Sequence, residues 1–259
     1  MKPPPAPDLT RFQAALFDLD GVLTATAKVH AAAWKELFDH FLEAWSRQHG
    51  QPFQPFDIET DYRLHVDGKA RCDGVASFLA ARGIELPYGD PEAPPDSTTI
   101  CGLGQRKDQL VQNILARDGV EVYAASIRFV RALRDRGTRT GVVSASRNCR
   151  NVLSAARIEE LFDVRVDGVV AGAERLPGKP DPAMFLFAAE HLGVAPGHIL
   201  VVEDAIAGVQ AARAGGFGLI VGIARSGDHE ALRVAGADVV VNDLAEWVPV
   251  QPSIREIPC

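Results

Sequence analysis

Wholly apolar runs alternate with helix-period stripes over most of this chain. Ala14-Ala15-Leu16-Phe17 has no polar position, the pattern of a short strand buried on both faces in a parallel sheet. Thr140–Val143, Val164–Val170, Ile199–Val202, Leu219–Val221 and Val239–Val241 predict further strands. Helical stripes lie between them. Ile127, Val130 and Leu133 mark a helix ending at Gly137, and another follows Asn148. Residues 182–192 predict a helix stopped by Gly193, and residues 205–214 one stopped by Gly215.

The stretch from about 25 to 118 reads differently, because it holds no convincing buried strand. Trp34, Leu37, Phe38, Phe41, Leu42 and Trp45 recur at helical spacing. Gln51–Asp61 reads as irregular, with Pro52 and Pro55 between phenylalanines, and Val66–Arg71 as a glycine turn carrying Lys69 and Arg71. Residues 75–82 predict a short helix stopped by Gly83. Leu86–Gly104, with Pro87, Pro91, Pro94 and Pro95, reads as a surface loop. Arg106-Lys107-Asp108 then opens a helix ending near Arg117. The fold class is therefore α/β: a doubly wound parallel sheet formed by residues 1–24 and 119–259, with an α-helical cap domain inserted at 25–118.

At 259 residues the chain has room for one large domain or two modest ones. A net charge of −7 and a pI near 5.5 speak against non-specific nucleic-acid binding, which needs a basic face. No apolar run has the length of a membrane span. Met1–Pro7 reads as a loose leader without the apolar core of a signal peptide. Cys72, Cys101, Cys149 and Cys259 have no paired spacing, which predicts free thiols in a reducing cytoplasm rather than disulfides or a zinc site. The chain is read as a monomer.

The candidate chemistry stands at strand ends, where open α/β sheets bind ligands. The first strand runs into Asp18 and Asp20, then Gly21. Two carboxylates so close repel unless a cation neutralises them, and a hard ion with oxygen ligands such as Mg²⁺ fits that need. The second strand runs into Ser144, Ser146 and Asn148 at a helix start, either a plain cap or a phosphate seat. Gly178-Lys179-Pro180 holds a cation on a stiff turn. The strand at 199–202 ends in Glu203-Asp204, which could complete the shell around Mg²⁺ with Asp18 and Asp20. Each piece alone has a bland explanation, but the ordered set favours phosphoryl transfer. Asp18 would be the nucleophile, Asp20 the general acid and base, and Ser144 and Lys179 the stabilisers of transferring oxygens. A helical insert just after the nucleophile would close over the site.

These stretches resemble the motifs of the haloacid dehalogenase superfamily over nearly the whole chain. Phe17–Leu23 is similar to its first motif, Ser144 to its second, Lys179-Pro180 to its third and Glu203-Asp204 to its fourth. The resemblance implies that Asp18 binds Mg²⁺ and is phosphorylated, and that Asp20 holds the metal through its backbone carbonyl. Thr26, His30, Gly68, Arg71, Lys107 and Ser144-Ala145-Ser146-Arg147-Asn148 further resemble the β-phosphoglucomutase-like subfamily. By that likeness Arg71 would grip the phosphate farther from the nucleophile, with help from Ser146 and Asn148. His30 and Lys107 would tie cap closure to substrate. The implied reaction interconverts β-D-glucose 1-phosphate and glucose 6-phosphate through β-glucose 1,6-bisphosphate as activator and intermediate. A Mg²⁺-dependent sugar-phosphate phosphatase, a phosphate-accepting receiver module and an inactive scaffold are the competing readings. Ala25 and the proline-rich segment depart from the subfamily's pattern.

Overall fold

The computed structural model describes residues 7–92, 94–225 and 229–247. The expected leader, apart from Pro7, and Cys259 lie outside them. In chain order the elements are β1 (Ala14–Phe17), α1 (Thr26–His49), α2 (Arg71–Ala81), α3 (Ile100–Asp118), α4 (Ala124–Arg134) and β2 (Arg139–Val143). Then come α5 (Cys149–Ala155), β3 (Val164–Val166), α6 (Gly168–Glu174), α7 (Ala183–Leu192) and β4 (Ile199–Glu203). The last are α8 (Ile206–Ala214), β5 (Leu219–Ile223), α9 (His229–Ala235) and β6 (Val239–Val241).

The strands form one parallel sheet in the order β3-β2-β1-β4-β5-β6. β1 is central, with Phe17 beside Val142 on one neighbour and Val202 on the other. Because side chains alternate along a strand, Ala15, Phe17, Leu200 and Val202 pack with α4 and α5 on one face. Ala14, Leu16, Ile199 and Val201 pack with α7 and α8 on the other. Both faces are covered, which is why these strands read as unbroken apolar runs.

Residues between β1 and α4 build their own helical core. Phe38 stacks on Trp34 at 5.2 Å and on Phe56 at 5.1 Å, with Phe78 at 4.2 Å. The chain leaves and re-enters the sheet side by side: Ala25 N–H donates to the Glu121 carbonyl and Tyr123 N–H to that of Leu23, both at 2.9 Å. Among the described residues no helix is long and apolar enough to cross a membrane.

Several expectations are corrected. The stretch read as irregular through Asp61 gives way at Ile58 to a π-helix over Ile58–Val66, started by Asp57, whose carboxylate accepts from Thr60 N–H. Only Tyr62 and Val66 of it are buried, too sparse a stripe to read in sequence. The loop expected through Gly104 ends at Thr99, whose hydroxyl caps α3. Gly102 and Gly104 are helical for reasons of space: a Cβ at 102 would stand 2.2 Å from the Ser97 carbonyl oxygen, and one at 104 3.3 Å from Arg71 Cγ. The proline-rich segment lies along α3, whose first N–H groups at Ile100 and Cys101 donate to the carbonyls of Pro87 and Tyr88. The strand expected over 164–170 stops at Val166, because Asp167 accepts from the N–H groups of Val169 and Val170 and starts α6. The cysteines need no such correction: Cys72 and Cys101 are free thiols, as expected, with sulfurs 2.9 Å apart.

Candidate active site

The level ends of β2, β1 and β4 set the site. Asp18 N–H donates to the Val202 carbonyl at 3.0 Å, which continues the ladder by one residue before the chain turns. Gly21 makes that turn at φ +86°, and a Cβ there would stand 1.7 Å from Asp204 Oδ2. Glycine is needed twice over, for the left-handed backbone and for the carboxylate seated against it.

Lys179 is fully buried beneath these acids. Its ammonium donates to Asp18 Oδ1 at 2.5 Å, Glu203 Oε1 at 2.6 Å and the Val143 carbonyl at 3.1 Å. Burial works against its charge, but Asp18 and Glu203 outweigh that and raise its pKa. The second oxygen of Glu203 accepts from the N–H groups of Asp204 and Ala205 at 2.9 and 3.0 Å. α8 passes so close that a Cβ at Gly208 would meet Glu203 Oε1 at 1.8 Å.

Asp20 is held from above. Its Oδ1 accepts from the Thr26 hydroxyl and lies 3.4 Å from His30 Nε2, while its Oδ2 lies 3.5 Å from Ser144 Oγ. His30 Nδ1 is 2.6 Å from Lys107 Nζ. An ammonium only donates, so Nδ1 accepts and Nε2 carries the proton that faces Asp20. Burial, then Lys107, lower the His30 pKa to about 4 against the pull of Asp20, so the ring is neutral. Burial also brings Lys107 down to about 8, with Asp20 and Asp108 opposing.

A cavity of about 580 Å³ opens over Asp18 and Asp20 and is roofed by Arg71, Lys107 and Asp108. Gly68, at φ +70°, sits where a Cβ would meet Ala205 Cβ at 2.8 Å, so the helical insert rests on the loop after β4. Ser144 Oγ accepts from Ser146 N–H, and Ser146 Oγ from Asn148 N–H, both at 3.1 Å. The expected residues Asp18, Asp20, His30, Gly68, Arg71, Lys107, Ser144, Ser146 and Asp204 all line the cavity. Lys179 and Glu203 lie beneath its floor, Thr26 behind Asp20, and Asn148 at its rim through Asp108.

Two residues escaped the sequence. Asp67 faces the acids from the insert, its carboxyl pushed to about 6 by burial, with Glu203 and Asp20 adding to the rise. Asp108 joins Arg71 to Asn148. Each directly neighbours a residue read as functional, which is the only signal the chain offered.

The donor chemistry suits a hard dication. Burial pushes the Asp204 carboxyl well above the usual range, and Asp67, Glu203, Asp18 and Asp20 add to it. Burial does the same to Asp18, against the opposing Lys179 charge. Such a crowd of oxygens short of positive charge fits Mg²⁺. Among the described residues no three acidic, histidine or cysteine side chains already stand in a metal cage. Glu203, expected among the ligands, has both oxygens engaged by Lys179 and backbone N–H groups.

Known proteins are similar to this chain in sequence and in fold. The chain is 47% identical over 239 residues to the β-phosphoglucomutase of Mycobacterium bovis, covering 91% of each chain. It is 30% identical over 249 residues to the validoxylamine A 7'-phosphate phosphatase of Streptomyces hygroscopicus subsp. limoneus, covering 93% of this chain and 100% of that one. The crystal structure of β-phosphoglucomutase from Clostridium difficile shares the fold, with a TM-score of 0.71 at 23% identity over 92% of this chain and 93% of that one. A family model described as haloacid dehalogenase-like hydrolase matches residues 12–216, a span that takes in the strand-end acids, the buried lysine and the helical insert. The chain belongs to that family.

Proposed function

We propose that the chain is a phosphomutase interconverting β-D-glucose 1-phosphate and glucose 6-phosphate. The observation that carries this reading is a phosphoryl-handling group on each side of one cavity: the Asp18 nucleophile with the Ser144 hydroxyl in the sheet, and the Arg71 guanidinium in the insert. A bisphosphate held at both ends needs both, whereas hydrolysis needs only the first. The relative at 47% identity supports the choice of sugar.

In this mechanism an Asp18 carboxylate oxygen attacks phosphorus, the bond to the departing oxygen breaks, and Asp20 gives that oxygen a proton. In the return half-reaction Asp20 takes the proton of the other sugar hydroxyl, whose oxygen attacks the aspartyl-phosphate. Ser144 donates to a phosphoryl oxygen as charge spreads over it, and the Lys179 ammonium, bonded to Asp18 from beneath, supplies positive charge that offsets it. Thr26 and the Nε2–H of His30 orient the Asp20 carboxylate, and Lys107 fixes the tautomer that does so. When bound, Mg²⁺ would neutralise charge on the transferring group. Asp18, Asp204 and the Asp20 backbone carbonyl would hold it, while Glu203 anchors Lys179.

The phosphatase of Streptomyces supports a second reading, with water in place of the sugar hydroxyl. Phosphorus NMR separates the two. Incubation of β-glucose 1-phosphate with Mg²⁺ should yield glucose 6-phosphate only when a trace of β-glucose 1,6-bisphosphate is added, and Asp18→Asn should abolish it. Steady release of inorganic phosphate without the bisphosphate would replace the mutase reading with the phosphatase one.

A further inference from the structure

Asp108, the residue after Lys107 on α3, holds both parts of the proposed distal phosphate grip. Its Oδ1 accepts from Asn148 Nδ2 at 2.7 Å. Its Oδ2 lies 3.3 Å from Arg71 Nη1 and accepts from Gln112 Nε2 at 2.9 Å. Arg71 and Asp108 are mostly buried, with side-chain exposures of 13% and 18%, and Asn148 is buried. Arg71 and Asp108 belong to the insert and Asn148 to the sheet domain, so this one carboxylate spans the seam. It offers a guanidinium and an amide the same anionic oxygens that a phosphate would offer. A phosphate arriving here finds its donors engaged and a negative charge beside them.

We infer that Asp108 is an internal competitor of the substrate's distal phosphate. It keeps Arg71 and Asn148 together when no phosphate is there, and weakens their grip when one is. The purpose rests on the phosphomutase reading: a bisphosphate that turns end for end has to leave both grips, and an over-tight grip on every state lowers KM without raising kcat. A carboxylate held in reserve re-occupies the donors and shortens the stay at that end. A mere prop for Arg71 would have the opposite effect on affinity.

Asp108→Asn keeps the shape and removes the charge. Calorimetric titration of the whole protein with inorganic phosphate, and separately with glucose 6-phosphate, should show binding about tenfold tighter than wild type, the size expected for losing one like charge in a half-buried site. In an Arg71→Ala background the gain should vanish, and Asp108→Ala should move affinity in the same direction as Asp108→Asn. In turnover, KM should fall about as far as the phosphate dissociation constant while kcat does not rise, a split that a structural defect would not produce. Unchanged or weaker phosphate binding in both Asp108 variants overturns the inference. If the wild type shows no isomerisation yet Asp108→Asn binds phosphate more tightly, the mutase reading falls and the competition stands.

Discussion

Replacing Lys179 by methionine removes a charge from a dry network while keeping most of its volume. Nζ lies 2.5 Å from Asp18 Oδ1, 2.6 Å from Glu203 Oε1 and 5.0 Å from the centre of the Phe185 ring. At an effective dielectric of about 20 each ion pair attracts by about 6 kcal/mol before the cost of leaving water is counted. Desolvation cancels much of that. What an experiment reads is the penalty for stranding two buried carboxylates, about 3–5 kcal/mol. At about 2–4 °C of Tm per kcal/mol for a chain of this size, the variant should melt about 6–20 °C lower at pH 7.5 in EDTA. Asp18 supplies a pH signature. Burial already holds its pKa well above the usual range with Lys179 opposing, and loss of the lysine raises it further. An acid whose folded pKa exceeds its unfolded one binds more protons when folded, so stability drops as pH climbs through that interval. The deficit should therefore shrink on acidification from pH 7.5 toward the ordinary carboxylate range. Scanning calorimetry across that range tests it: an unchanged Tm at pH 7.5, or a deficit that grows on acidification, refutes the buried-charge argument.

Lys107→Met should gain stability and lose isomerisation. Burial lowers this lysine from 10.5 to about 8, with Asp20 and Asp108 opposing, so its folded state sheds the proton first. Wild-type stability should rise between about pH 8 and 10 while the variant's stays flat, and at pH 7 the variant should be ahead by about 1–3 kcal/mol in urea unfolding. Gly102→Ala should destabilise despite alanine's helix advantage of about 1 kcal/mol, because its Cβ would press on the Ser97 carbonyl; a net loss of about 1–3 kcal/mol by urea unfolding is expected. Gly21→Ala should cost about 2 kcal/mol or more, from left-handed backbone and the Asp204 clash together, and a Mg²⁺ titration of turnover should show activation lost or moved to much higher concentration.

The groups that meet at the candidate site were legible as candidates because most follow directly on an element with a strong signature. Asp18 ends an apolar run, Ser144 and Glu203 end two others, and Lys179 is framed by Gly178 and Pro180. The helical insert was legible as a region without strands. What failed were segments whose state depends on distant neighbours. The π-helix at 58–66 buries two side chains, and the first turn of α3 is secured by carbonyls of Pro87 and Tyr88 more than ten residues earlier.

By itself the sequence determined the order of the strands, most of the helices and the identity of the strand-end groups, since these follow from residues adjacent in the chain. Only the tertiary structure decided which of those groups face one another. It is the level register of β1 and β4 that sets Asp18 beside Glu203, and the turn before α7 that brings Lys179 within bonding distance of both. It is the seat of Gly68 on Ala205 that places Arg71, Asp67 and Asp108 above them. Charges so far apart in the chain meet through packing, and packing is a property of the whole fold, which no local pattern encodes.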